Sequence, residues 1–307
     1  MTGATEPMLT ADARARTLVS SVTERLRTGG SPSPRLDAEL LVAHAFGRDR
    51  TWLLAHPDDA LAPDDAARLA AWVERRANAE PVAYIRGFKE WLSLRIAVDP
   101  RALIPRPETE LLAEAAIEEI AGRLVRDDRP IAAWEVATGS GAVTVALAQR
   151  FRTSVALGRV RLAASDISPE ALELASENLA AHGLAGLVAL GCGDLLEPAV
   201  LPAPQQPDVL IANLPYLTTE EASAGTGSLR FEPRSALDGG ADGLDVIRRL
   251  LAQLPARLAE GGVALLEVGA GQADAIRSLV ADLPMPAEVG TLADLSGIER
   301  VVRIDRA

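Results

Sequence analysis

Apolar residues Leu18, Val19, Val22 and Leu26 recur at helical spacing between Thr10 and Arg27, and Gly29, Gly30 and Pro32 come after them, which predicts a helix that stops at the glycines. A second helix is predicted over 34–46, where Leu36, Leu40, Leu41 and His44 share a face, followed by a short helical turn through Trp52, Leu53 and Leu54. Pro63 and two aspartates open a fourth over 64–78, with Leu69, Trp72, Val73 and Arg76 near one stripe. Residues 1–80 therefore read as a small helical domain. Beyond Pro81, Leu92, Leu94, Ile96 and Val98 alternate at period two, which predicts a strand reached through Gly87, Phe88 and Trp91 and hence a β-hairpin. Pro100, Pro105 and Pro107 bracket the stretch from Ile104 to Glu110, after which helical spacing resumes over 111–124. Hairpin and loop, 81–110, join the helical domain to the remainder of the chain.

From Pro130 onward, short apolar runs alternate with helical stretches. Strands are predicted near 131–137, 160–165, 187–190, 209–212 and 263–268, and helices near 142–151, 169–182, 242–258 and 272–283. This alternation predicts an α/β domain over 111–307, with a mostly parallel sheet covered on both faces. Two last strands, 288–292 and 300–304, have no helix between them, so one of them is expected to run antiparallel. The polar, glycine-bearing run from Thr218 to Ser228 reads as part of a long irregular segment, of the kind that forms lids or stays disordered.

Composition narrows the function classes. Hydrophobic residues make up 48% and charged ones 24%, as in ordinary globular chains. The net charge of −12 disfavours nucleic acid as the main partner. One cysteine, Cys192, permits no intrachain disulfide and reads as a small buried or half-buried filler, since no neighbouring base would activate it. Three scattered histidines, His44, His56 and His182, give no metal-ligand spacing, so no metal is expected. The first 30 residues carry no continuous apolar stretch of the signal-peptide kind, and no run approaches the length of a membrane span. The expectation is a cytoplasmic protein without a membrane segment.

Candidate chemistry gathers where the predicted strands end. The first strand of the α/β part runs into Glu135-Val-Ala-Thr-Gly-Ser-Gly141 and straight into a helix. Small residues there let a ligand approach the backbone and the free N–H groups of a helix start, although such a turn also occurs for structural reasons alone. The second strand ends at Asp166, which either accepts the two hydroxyls of a ribose or caps the helix at Ser168-Pro169, a task for which Ser168 is better suited. Gly193-Asp194-Leu195 comes after the third strand and reads as an adenine contact or as a plain turn. The fourth runs into Asn213-Leu-Pro-Tyr216. There Asn213 Oδ1 and the Leu214 carbonyl offer two acceptors for the two protons of a planar NH₂ group, with Tyr216 as an aromatic face; the plainer reading is a strand-end Asn before a proline turn. In the loop ahead of the 111–124 helix, Glu108 or Thr109 is expected to cap while Arg106 points elsewhere.

These residues are recognisable together. The α/β part resembles a class I S-adenosylmethionine-dependent methyltransferase, and Asn213-Leu-Pro-Tyr216 resembles the Asn-Pro-Pro-Tyr motif of enzymes that methylate planar nitrogens. Arg35-Leu-Asp-Ala-Glu-Leu-Leu41, Pro81-Val-Ala-Tyr-Ile-Arg-Gly87, Leu103-Ile-Pro-Arg-Pro-Glu-Thr-Glu110, the stretch from Ala236 to Asp245 and Glu299-Arg-Val-Val302 are similar to the protein-(glutamine) methyltransferases of peptide-chain release factors, the HemK/PrmC family. The resemblance spans nearly the whole chain. It implies S-adenosyl-L-methionine as cofactor, with its methionine part against Ala137, Thr138, Gly139, Ser140 and Gly141, its ribose on Asp166, its adenine beside Asp194 and Leu195, and Asn213 close by. It implies that Asn213, Leu214, Pro215 and Tyr216 hold the substrate glutamine, with Asn213, Pro215 and Tyr216 catalytic. The helical domain, the hairpin and the loop around Arg106 are then expected to help form the groove for the Gly-Gly-Gln loop of a class 1 release factor, bound by a monomeric enzyme.

Two departures from the family pattern matter. Ala137 stands where the family has the first glycine of its cofactor loop, which strains the chain only if that position needs a positive φ. Leu214 replaces the first proline of the tetrapeptide; its carbonyl is kept, and Pro215 still biases it toward an extended backbone. Glu135 in place of the usual Asp is a milder change. Rival readings are a glutamine methyltransferase of a ribosomal protein, an amino-methyltransferase of nucleic-acid bases and, from another class, a non-catalytic cofactor-binding adaptor.

Overall fold

The computed structural model describes residues 13–197, 206–225 and 227–307. They fall into two compact units, one within Met1–Phe88 together with Thr226–Phe231, the other within Lys89–Gly225 together with Glu232–Ala307.

The first unit is helical: α1 (Ala15–Thr28), α2 (Pro34–Ala45), α3 (Arg50–Ala55), α4 (Pro63–Ala77) and α5 (Val82–Arg86). Leu18, Val22, Leu26, Leu41, Leu69 and Val73 form its core, all fully buried or nearly so. Pro63 and two aspartates start α4, and Arg75 and Arg76 close it, so its charges complement the helix dipole. The buried Arg76 guanidinium donates to Asp37 at 2.8 Å and to Ser31 at 3.2 Å, tying α4 to α2 and the turn before it. α1 begins later than its apolar spacing suggested, because Arg14 pairs with Ala60 as an isolated bridge; Thr10 to Asp12 lie outside the described residues. α5 was not anticipated, since the residues after Pro81 carry too short a pattern to show one helical turn.

The second unit opens with a hairpin of β1 (Phe88–Trp91, its first residue in the helical unit) and β2 (Leu94–Ala97). Leu92 does not extend the alternating strand as expected. It forms the turn with Ser93, both at positive φ (45° and 60°), the two-residue geometry that matches the twist of hairpin strands. Next come α6 (Glu108–Arg126), β3 (Ile131–Val136), α7 (Ala142–Arg150), α8 (Arg152–Ala156), β4 (Val160–Asp166), α9 (Pro169–Ala181), β5 (Val188–Cys192) and β6 (Val209–Asn213). α10 (Thr219–Ala224), a 3₁₀ turn at Gly227–Phe231 that belongs to the first unit, another at Arg234–Ala236, α11 (Asp245–Arg257), β7 (Val263–Glu267), α12 (Ala273–Ala281), β8 (Ala287–Ala293) and β9 (Glu299–Arg306) complete the chain.

Seven strands form one sheet in the order β5-β4-β3-β6-β7-β9-β8. β9 pairs antiparallel with both β7 and β8 and, among the described residues, is the single strand that opposes the rest, as the missing helix before it suggested. All of β3 and β7 is buried, as expected of strands covered on both faces. The chain leaves β3 toward β4 and β5, then returns to the other side of β3 as β6. The carboxyl ends of β3 and β6 therefore flank the crevice that such a reversal opens.

Two further expectations fail. The stretch after β6 is not irregular throughout, because Thr218 and Glu221 form a reciprocal capping box that starts α10. Cys192 is exposed rather than buried, since it ends β5, the edge strand of the sheet. Among the described residues no helix is long and apolar enough to cross a membrane.

Candidate active site

The turn after β3 is built around a buried carboxyl. Glu135 accepts from the Thr138 hydroxyl at 2.8 Å and from the Thr144 hydroxyl, while burial pushes its pKa up to about 7 against those bonds. Ala137 and Gly139 take positive φ (54° and 55°), and Gly141 enters α7 at φ 77°. A Cβ on Gly141 would stand 2.9 Å from that of Ala175 on α9, so the position demands glycine twice over. Thr138 N–H donates to Ser165 O at 3.0 Å, and the Asn178 amide donates to Ser140 O at 2.9 Å and to Ala97 O at 3.0 Å. Asn178, 1% exposed, thus ties this turn to the hairpin, and nothing in its helical sequence pattern marked it.

Asp166 ends β4 and binds its surroundings with both oxygens. Gly139 N–H donates to Oδ2 at 2.8 Å and Ser168 N–H to Oδ1 at 2.9 Å. Burial raises its pKa, and these backbone donors oppose the rise. The α9 cap is Ser168, whose Oγ accepts from Ala171 N–H at 3.1 Å. Asp166 is therefore not spent on capping, and each oxygen retains a lone pair for a ligand. After β5, Asp194 pairs with Arg249 of α11, a partner too distant in sequence to foresee, and Leu195 is buried at φ 55°.

At the end of β6, Asn213 Nδ2 donates to Thr109 Oγ1 at 3.1 Å, which leaves Oδ1 as the acceptor edge of the carboxamide. This displaces the expected cap: α6 begins after Pro107 with no side-chain cap, and Thr109 serves Asn213 instead. Leu214 is 2% exposed and joins the apolar core with Trp134, Ala212 and Leu244. The backbone beyond it is held from outside the tetrapeptide. Gln272 Nε2 donates to Tyr216 O at 3.0 Å, Leu217 N–H donates to Leu237 O at 3.1 Å, and a Cβ on Gly239 would come within 2.6 Å of Pro215 O. Burial, with the charge of Glu267 adding to it, pushes the Tyr216 phenol up to about 12, so it stays neutral. Arg106 donates to Glu232 at 2.6 Å, and the same carboxylate accepts from Ile104 N–H at 3.0 Å.

A cleft of about 260 Å³ collects most of these residues. Ala137, Thr138, Gly139, Ser140, Asp166, Asp194, Leu195, Asn213, Leu214 and Pro215 all line it, as does Thr109. Gly141, Tyr216 and Arg106 do not: the first packs on α9, the second on the core, and the third is turned to Glu232. The lining puts an acidic acceptor, small backbone turns and a carboxamide around one space, which suits a nucleoside-bearing cation beside a planar nitrogen.

Residues 17–87 match the family model described as the PrmC N-terminal domain. The chain is 39% identical over 292 residues to a release factor glutamine methyltransferase of Deinococcus radiodurans, covering 95% of this chain and 98% of that one. It belongs to the release factor glutamine methyltransferase family. A relative with the same description from Bordetella pertussis is 39% identical over 273 residues, covering 87% and 93% of the two chains. The fold is likewise similar to the hMettl16 catalytic domain, solved in complex with a MAT2A 3'UTR hairpin, with a TM-score of 0.51 and 12% identity over 79% of this chain and 82% of that one.

As a release factor glutamine methyltransferase by family, the chain is an enzyme of the class I methyltransferase fold, and its two departures can be placed. Ala137 does occupy a positive φ, so the strain that its side chain implies is present. Leu214 sends its apolar side chain into the core beside Trp134, Ala212 and Leu244.

Proposed function

We propose that this enzyme transfers a methyl group from S-adenosylmethionine to the side-chain amide nitrogen of the glutamine in the Gly-Gly-Gln motif of class 1 peptide-chain release factors. The observation that carries this reading is the Asn213 carboxamide, held by Thr109 so that Oδ1 remains available on the wall of the cleft that Asp166 also lines. The cleft is lined by Glu135, Asp166 and Asp194 and by Arg101 and Arg249, the last paired with Asp194, a small acidic excess that suits a positively charged cofactor. When bound, S-adenosylmethionine supplies a methyl carbon made electrophilic by its sulfonium.

The turn from Ala137 to Gly141 would hold the methionine part. Asp166 would accept the ribose hydroxyls with its remaining lone pairs, and Asp194, steadied by Arg249, would stand with Leu195 beside the adenine. Asn213 Oδ1 and the Leu214 carbonyl would accept the two N–H protons of the substrate amide. An amide nitrogen is a poor nucleophile, because its lone pair is delocalised into the carbonyl. Accepting both protons orients it, raises its electron density and favours the positive charge that develops in the transition state. Among the described residues no strong base lines the cleft, so positioning supplies much of the rate; well-oriented reactants gain roughly 7–11 kcal/mol. The proton leaves afterwards to water. The helical unit, matched by the N-terminal family model, would contribute to substrate recognition.

Methyl transfer from labelled cofactor to purified, unmethylated release factor tests the proposal, read by intact mass and peptide mapping, with a Gln-to-Ala variant of the Gly-Gly-Gln loop as control. One methyl on that glutamine and none in the control is the expected result. No transfer to the release factor, with transfer to a ribosomal protein, would overturn it.

A further inference from the structure

Glu267 closes β7, and its register partner on β6 is Asn213. Paired residues of neighbouring strands project to the same face of the sheet, here the face where Thr109 of α6 meets Asn213. Glu267 is 1% exposed, and among the described residues neither of its carboxyl oxygens has a hydrogen-bond partner. A buried carboxyl left without a partner is costly, and native interiors rarely keep one without a use. The nearby Thr109 hydroxyl favours its charged form, although it stands short of good hydrogen-bond geometry. The other groups that act on it are Glu108 of α6, Arg106 before that helix, Arg300 of β9, and Tyr216. Glu267 does not line the cleft, whereas Thr109 and Asn213 do.

These positions give Thr109 a direction. Its hydroxyl has one proton and two lone pairs. With the proton turned toward Glu267, a lone pair receives Asn213 Nδ2, and Oδ1 is left for the substrate. With the proton turned the other way, Thr109 would donate to Asn213 Oδ1, the carboxamide would flip, and its NH₂ would confront the NH₂ of the substrate. We propose that Glu267 is a positioning residue that, through the Thr109 hydroxyl, holds the Asn213 carboxamide with its oxygen toward the substrate amide. The proposal rests on the reading of Asn213 as the substrate acceptor. Burial, its largest cause, pushes the Glu267 carboxyl up to about 7. A protonated Glu267 is a poorer acceptor that can itself donate, so the device weakens as pH falls through that value.

The test compares wild type, E267Q, E267A and N213A, measuring kcat and KM for release factor from about pH 6 to about pH 9, S-adenosylmethionine affinity by calorimetry, and melting temperature. E267A is expected to lose about 10²-fold in kcat, the scale of a misplaced reacting group, with cofactor affinity unchanged. E267Q keeps an acceptor for Thr109, so it should retain most of kcat at pH 8 and lose the acid limb that wild type shows near pH 7. Its melting temperature should gain on wild type above that pH, since the variant buries no charge. An acid limb that persists in E267Q, or an E267A that loses cofactor affinity in step with kcat, would overturn the proposal. If N213A keeps its turnover, the acceptor reading itself fails; if N213A loses turnover while E267A does not, only the role of Glu267 fails.

Discussion

Ala137 holds a left-handed backbone at φ 54°, where an L side chain costs about 1–2 kcal/mol and glycine costs nothing beyond its unfolded-state freedom. Ala137→Gly is therefore expected to raise stability by about 0.5–1 kcal/mol in denaturant melts; an unchanged or lower midpoint would show that the turn relieves the strain elsewhere. Asn213 carries a different kind of prediction. Asn213→Ala removes the acceptor but none of the backbone that surrounds Asp166, so turnover should fall by about 10²-fold or more while cofactor affinity stays within a factor of a few. An equal loss of both would assign Asn213 to cofactor binding or folding. Asp166 and Asn213 were legible in the sequence because each is a polar residue at the end of an apolar strand, where the strand-helix alternation already placed a crevice. Thr109, Asn178, Gln272 and Glu267 were not. Each acts through a residue far away in the chain, and Glu267 looked like the tail of an apolar run until its neighbour strand was known.

Among the elements, the segment around Glu232 adjoins the cleft, which Pro233, Ser235 and Ala236 line. Its side chain is 1% exposed and takes both the Ile104 N–H and the Arg106 guanidinium, so the loop before α6 is fastened to the stretch that comes after α10. Glu232→Ala leaves a buried N–H and a half-buried cation without an acceptor, and should cost about 3 kcal/mol. Glu232→Gln keeps an acceptor for Ile104 and should cost less, a contrast that thermal melts of the two variants would check. The capping box at Thr218 and Glu221 was readable as Thr-x-x-Glu, but with few apolar residues after it there was no periodicity to reveal the helix. The hairpin turn was hidden by composition. Leu92 and Ser93 adopt a conformation that normally selects Asn and Gly, so an apolar residue that looked like strand became the bend. Most longer helices and the sheet strands were legible to within a few residues, because burial on one or both faces imposes the period directly.

At the scale of the molecule, two buried glutamates, Glu135 and Glu267, have carboxyls raised to about 7 by desolvation, from an ordinary value of 4.5. Between these values the folded chain holds protons that the unfolded chain has released, so their contribution to stability is greatest in acid and is lost as pH rises toward and through 7. Burial raises Glu39 and Glu119, but the arginines beside them outweigh it and, as for Asp99 and Asp242, shift these carboxyls the other way, so their stabilisation is lost only as pH falls below the ordinary carboxylate range. The two windows do not overlap, so the raised carboxyls, Asp166 among them, govern the side above the ordinary carboxylate range. Glu135→Gln should gain melting temperature relative to wild type as pH rises from about 5 to about 8; a difference that does not move with pH would refute the assignment. Cys192, the chain's single cysteine, offers a way to watch the cleft. It sits exposed at the end of β5, in register with Asp166 and just ahead of Asp194. A thiol-reactive dye would therefore attach at one position per molecule without any engineering of the sequence, and its emission would convert ligand arrival into an optical signal.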